Sequence, residues 1–390
     1  MKKYFFWAGG IFVVLFVFVF VFDVSYLFHG IRCTYLRGEP SAQIDDSRFF
    51  YNRTVFAENP FEIPLGYNYN DSIINDSLDF VLNKSKSIAF LVVQNDSVRF
   101  EKYWRFGNSS SSTNSFSIAK SIVSLLVGCA VDRGFISSVD QSIFDFLPEL
   151  KPFNGQDVKI KHLLEMSSGL DWLENYKKPI SVTAKSYYGS NLKNLILNRR
   201  FISSPGKIHD YKSGDTQLLG VLLERATGVS VSSFASSVLW SEIGAKDDAL
   251  WTLDYNGGVE KTFCCFNSNA RDFSKLGLLV LNRGSFLGKR VVSENYIDWA
   301  VSPPLLLDID GSDGELVDFY ANGWWTANVS GKDIVYARGF NGQYIVIIPD
   351  LDLVFVRLGL FEDEKSSENN EYSLTDNLNF FIKQVIKEFS

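Results

Sequence analysis

The chain has 390 residues, 46% of them hydrophobic, and a formal net charge of −7. That is ample material for a large core, and the acidic balance gives no electrostatic footprint for a nucleic-acid partner. The three histidines (His29, His162, His209), the four cysteines without C-x-x-C spacing and the lack of a G-x-S-x-G turn argue against histidine-metal, Ser-His-Asp and α/β-hydrolase chemistry.

In chain order, Lys2 and Lys3 precede an apolar run from Tyr4 to Phe22 with no charge before Asp23. As a helix at ~1.5 Å per residue, such a run spans roughly 28 Å, close to the hydrocarbon thickness of a bilayer. No small-residue cleavage site follows. Residues 1–22 therefore read as a signal anchor, with the lysines on the cytoplasmic side and the rest on the extracytoplasmic (periplasmic or extracellular) side; the alternative is a cleaved signal peptide. Residues 23–70 carry scattered aromatics and turn formers without a period, and read as a lead-in or spacer.

From residue 71 to 390 the pattern is that of one domain. Ser72–Leu82 predicts a helix, and Ser87–Val93 and Val98–Trp104 predict two strands about the turn Asn95-Asp96-Ser97. After a serine-rich stretch, Ile118, Ile122, Leu125, Leu126 and Cys129 recur at helical spacing, which places Cys129 in the core. Helices are expected at Gln141–Leu147, Ile160–Glu165, Asn191–Leu197, Thr216–Thr227 and Ser232–Ile243. Strand character returns at Gly323–Val329, Lys332–Arg338, Gln343–Ile348 and Leu353–Leu358, and Leu374–Phe389 predicts a closing helix. Strands at both ends with helices between them predict an α+β fold. One antiparallel sheet is flanked by N- and C-terminal helices and carries a helical insertion over roughly 135–260. Cys264 and Cys265 are neighbours and are expected not to bridge each other.

Three stretches carry chemistry. Ser117 sits at the start of the helix and Lys120 one turn on, a hydroxyl beside an amine where unpaired N–H groups favour developing negative charge. The same S-x-x-K spacing recurs at Ser190/Lys193 and Ser204/Lys207, so the spacing by itself selects nothing. Asp210-Tyr211-Lys212-Ser213-Gly214-Asp215 puts a tyrosine in a polar loop before a helix. Ala337-Arg338-Gly339-Phe340-Asn341-Gly342-Gln343 joins two strands through glycines that permit close backbone approach.

Together these stretches resemble the serine β-lactamase-like superfamily, most closely its class C β-lactamase-related hydrolases and esterases. His162-Leu163-Leu164-Glu165-Met166-Ser167-Ser168-Gly169-Leu170-Asp171-Trp172 and Ala270-Arg271-Asp272-Phe273 add to the resemblance, which runs over roughly residues 75–388. It implies an acyl-enzyme on Ser117, with Lys120 and Tyr211 as general base and proton shuttle. It also implies an oxyanion hole from the backbone N–H groups of Ser117 and Gln343, with Gly342, Asn341 and Ser213 around the substrate.

The implied substrate is a small amide or ester, and neither a metal nor an organic cofactor is needed. Two departures stand out. Phe340-Asn341-Gly342 replaces the family's K-T-G or H-x-G, and Ser213 replaces the usual asparagine two residues after the tyrosine. Both count against efficient turnover of β-lactams. The alternatives on the same residues are a DD-peptidase, or an inactive membrane-tethered module binding peptidoglycan-like peptides. Trp172, Trp324 and Trp325 are read as core or sheet-face packing ahead of an acyl pocket.

Overall fold

The computed structural model describes Val19 and residues 23–71, 75–309, 314–361 and 374–390. Apart from Val19, the anchor expected over residues 4–22 lies outside this set, as do residues 72–74 of the first expected helix. Among the described residues no single helix is long and apolar enough to cross a membrane.

The scaffold is a six-stranded antiparallel sheet made from both ends of the chain. Its strands are β1 (Ser87–Gln94), β2 (Ser97–Tyr103), β3 (Trp325–Val329), β4 (Lys332–Gly339), β5 (Gln343–Ile348) and β6 (Leu353–Gly359). They lie in the order β3-β4-β5-β6-β1-β2. Its central strands are continuous apolar runs because both faces are covered, and side-chain alternation divides each run between two cores. Phe90, Val92, Val346 and Phe355 face helices α2 (Asp76–Lys84) and α6 (Asp376–Phe389), where Leu78, Leu82, Phe381 and Val385 meet them. Ala89, Leu91, Ile345, Ile347, Val354 and Val356 face the other way, toward α3 (Ile118–Asp132) and α5 (Ala270–Leu281). The fit on that side is close, since a Cβ on Gly277 of α5 would lie 2.5 Å from a Val354 methyl. Truncating a fully buried ring such as Phe381 to alanine is expected to cost about 3–5 kcal/mol.

Between the halves runs the expected helical region, including α4 (Ser213–Thr227). Several local expectations change. Gln141–Leu147 forms only a 3₁₀ turn at Ile143–Asp145, and the helix expected over Ser232–Ile243 is Val231–Ala235 followed by a π-helical turn. A second sheet, in the order Asn52–Val55, Ala249–Thr252, Phe266–Ser268, Thr113–Asn114, was not anticipated. Strands of two to four residues carry too little alternation to stand out. Cys264 and Cys265 are joined by a disulfide, contrary to the expectation from their adjacency.

Residues 23–70 are not a bare spacer. Helix α1 (Tyr26–Cys33) packs on the helix Val182–Tyr188, with Gly30 against the Tyr188 ring. The His29 ring bonds the carbonyls of Tyr188 and Phe49, each at 3.1 Å. Downstream, Asn52–Val55 pairs with Ala249–Thr252.

Candidate active site

The nucleophile candidate is set by its backbone. Phe116 is held at φ +46°, in the left-handed region that costs a non-glycine residue energy, and its N–H donates to Asn114 Oδ1 at 2.8 Å. Ser117 follows as the residue capping α3, half-buried and reachable. Lys120, one turn on, is buried, with Nζ 2.9 Å from Ser117 Oγ and donating to the Phe263 carbonyl at 2.9 Å. The ammonium also lies 5.0 Å from the centroid of the Tyr211 ring. Burial pulls the Lys120 amine down to about 8, partly opposed by the charge of Glu174. A substantial fraction of Lys120 is therefore neutral near pH 7–8.

Tyr211, in the loop before α4, brings its phenol beside the Ser117 side chain. Its own burial raises the phenol well above its ordinary value, with Ser117 and the Arg338 charge opposing and Glu174 adding. The two shifts separate the roles. At neutral pH Tyr211 stays protonated while part of Lys120 is neutral, so of the two only Lys120 is able to accept a proton there.

Glu174 was not singled out in the sequence. Its carboxylate accepts from the Ser213 N–H (2.8 Å), the Ser213 hydroxyl (3.0 Å) and the Trp172 indole (2.8 Å). This ties the loop 172–174 to the first turn of α4, where a Cβ on Gly214 would lie 2.7 Å from the Trp172 ring. Trp172 thus positions the site from behind, and Trp325, 5.5 Å from the Tyr211 ring, buttresses that residue. Trp324 is buried as well.

The glycine-bearing turn after β4 also approaches Ser117. A Cβ on Gly339 would come within 2.1 Å of the Ser115 carbonyl, so only glycine lets the strand end lie there. The next residue, Phe340, packs edge-on against Phe116 (5.5 Å) and stacks on Tyr176 (6.2 Å), lining the same cavity as Ser117. Among the described residues, neither the Ser117 nor the Phe340 N–H is spent on a backbone carbonyl.

Gln343 sits elsewhere. It is fully buried, pairs with Gly339, and its side chain donates to the carbonyls of Phe340 and Gly359 at 3.0 and 2.7 Å. Asn341 and Gly342 take positive φ in the turn, and their carbonyls are gripped by Arg357 Nη1 at 2.8 and 2.7 Å. Of the residues the sequence suggested, Ser117, Lys120, Tyr211 and Ser213 converge. Gln343, Asn341 and Gly342 form the support behind them.

The cavity above Ser117 has an open volume of about 1040 Å³, mouth included, and its walls are largely apolar and aromatic. Among the described residues no group of three or more histidine, cysteine or acidic side chains is placed to hold a metal ion.

A model of the Beta-lactamase family matches residues 82–364. The chain is similar to the 6-aminohexanoate-dimer hydrolase of Paenarthrobacter ureafaciens, 27% identical over 304 residues that cover 72% of this chain and 74% of that one. A solved Bacillus anthracis protein assigned as a 6-aminohexanoate-dimer hydrolase superposes with a TM-score of 0.72 at 19% identity, over 88% of this chain and 92% of its own. A family VIII carboxylesterase does so at 0.61 and 16% identity, over 83% and 98%. With the match spanning most of the chain, and the sheet and helices arranged as described, this protein belongs to the Beta-lactamase family.

Proposed function

We propose that this protein is a serine hydrolase that cleaves an amide or ester through an acyl-enzyme on Ser117. The observation that carries the reading is the buried Lys120 amine, 2.9 Å from Ser117 Oγ and lowered to about 8. Neutral Lys120 takes the Ser117 proton as Oγ attacks the substrate carbonyl. The tetrahedral oxyanion lies between two backbone N–H groups, those of Ser117 and Phe340, with Phe340 in place of the Gln343 suggested by the sequence. Protonated Lys120, through the Tyr211 hydroxyl, returns the proton to the departing alcohol or amine. Water then attacks the acyl ester by the reverse relay, releasing the carboxylic acid and free Ser117.

The turn Phe340-Asn341-Gly342 offers no cationic side chain to a substrate carboxylate. Arg338, two positions before the turn, lies over the Trp325 ring at 5.7 Å. This supports a neutral amide or ester over a penicillin or cephalosporin, and it counts equally against a DD-peptidase. A module that merely binds has no use for a desolvated amine held against a hydroxyl. The test is a panel of short p-nitrophenyl esters, small amides and nitrocefin, each with wild type and Ser117→Ala. Ester or amide turnover that disappears in Ser117→Ala supports the proposal. Nitrocefin turned over faster than every ester and amide overturns its substrate class.

A further inference from the structure

Part of the wall of the cavity that holds Ser117 is built by α1. Leu27, Gly30 and Ile31 line it, and Tyr35 follows at the rim with Lys177 and Lys178. The outer side of this segment is apolar and open to solvent. Phe28, Tyr35 and Leu36 are exposed, Leu36 to 77%, and Ile180 joins them beside the rim lysines. Scattered exposed apolar residues are ordinary, but a cluster at the mouth of an apolar cavity marks contact with another phase. Arg32, Lys177 and Lys178 are exposed around it, although the chain as a whole is acidic.

The position in the chain adds a constraint. Leu27 follows Phe22, the last residue of the apolar run, by five positions, a tether of at most ~18 Å when fully extended. With that run in a bilayer, the cavity mouth cannot stand far from the lipid surface. The cationic, aromatic rim suits an anionic interface.

We propose that the cavity receives the long apolar acyl chain of an ester or amide drawn from a bilayer surface, and that α1 is both chain-binding wall and membrane-facing rim. The inference rests on the serine-hydrolase reading of Ser117. The chain lies against Leu27 and Ile31 while Ser117 Oγ takes the acyl group. The alcohol or amine leaves with the proton, and water releases the long-chain carboxylic acid.

The test uses the full chain and compares kcat/KM for p-nitrophenyl decanoate with that for p-nitrophenyl acetate, in wild type, Ile31→Trp and Leu27→Trp. Circular dichroism melts check that each variant is folded. Burying about eight further methylenes at ~0.8 kcal/mol each leaves ample room for a preference of at least ~10-fold for decanoate. Each bulky variant should cut that ratio by about 10-fold. Decanoate embedded in phosphatidylcholine–phosphatidylglycerol vesicles should be cleaved faster than the same total amount dispersed without lipid. Ser117-dependent turnover with no chain-length preference, or with a ratio that neither variant moves, overturns the acyl-chain assignment and leaves the hydrolase standing. Slower cleavage from vesicles overturns the bilayer source. Wild type inert to both esters overturns the hydrolase reading, and this inference with it.

Discussion

The pH profile follows directly from the environment of Lys120. An unperturbed lysine, near 10.4, is only ~0.4% neutral at pH 8. Burial brings Lys120 to about 8, so roughly half of it is neutral at that pH, a gain of about 100-fold in available base. In the proposed mechanism the active form is the deprotonated amine, so activity is expected to be lost as pH falls. For an uncharged ester such as p-nitrophenyl acetate, kcat/KM should rise about 50-fold from pH 6 to 8 and level off by about pH 9. Tyr211, raised by burial, stays protonated across this window and adds no limb of its own. Tyr211→Phe should therefore keep the rise while lowering the plateau by about 10–100-fold. Lys120→Arg, whose guanidinium does not deprotonate, should lose about 10³-fold or more, and the rise with it. Initial rates in constant-ionic-strength buffers, corrected for spontaneous hydrolysis, give the profile. A flat profile from pH 6 to 9, or an unchanged rise in Lys120→Arg, refutes Lys120 as the base.

Other changes have calculable directions. Glu174→Gln removes a negative charge that raises Lys120, so the rise in kcat/KM should move to lower pH, as the same rate profile would record. Asp215 is buried and accepts from the Ser168 hydroxyl at 2.6 Å, and burial raises it to about 7 against the opposing pull of the Lys212 charge and Ser168. Since its folded value lies above the ordinary ~3.9, folding is penalised progressively from about pH 4 to 7, by up to ~4 kcal/mol above that range. Urea melts at pH 5, 6.5 and 8 should therefore show wild type losing stability more steeply than Asp215→Asn; parallel curves would count against it. Arg357→Met strands the carbonyls of Asn341 and Gly342, which should cost about 2–4 kcal/mol by urea denaturation. It should also lower kcat at saturating ester, because the turn bearing the Phe340 N–H loses its anchor.

What the sequence disclosed, and what it hid, divides along physical lines. The central strands were readable because a run such as Gln343–Ile348, buried on both faces, leaves no polar interruption. Ser117 and Lys120 were readable because a helical period starts where a polar stretch stops, and Tyr211 because a turn-rich loop precedes a helix. Glu174 was not readable, because its role comes from meeting Ser213 across 39 positions of chain. The oxyanion donor proposed from the structure, Phe340, differs from the one expected from the sequence, Gln343, by three residues. Side-chain types around Gly339 and Gly342 do not reveal which glycine meets Ser115, and only the packing of β4 against that carbonyl picks out Phe340. The part played by α1 was equally hidden, since an aperiodic lead-in acquires its position from Tyr188 and the cavity it closes.

The central claim, that Ser117 is a nucleophile activated by its neighbours, is tested most directly by mass spectrometry after reaction with a fluorophosphonate. The account predicts a single adduct on the peptide containing Ser117, absent in Ser117→Ala and formed far more slowly in Lys120→Ala. No adduct in folded wild type, or one that persists in Ser117→Ala, would contradict it.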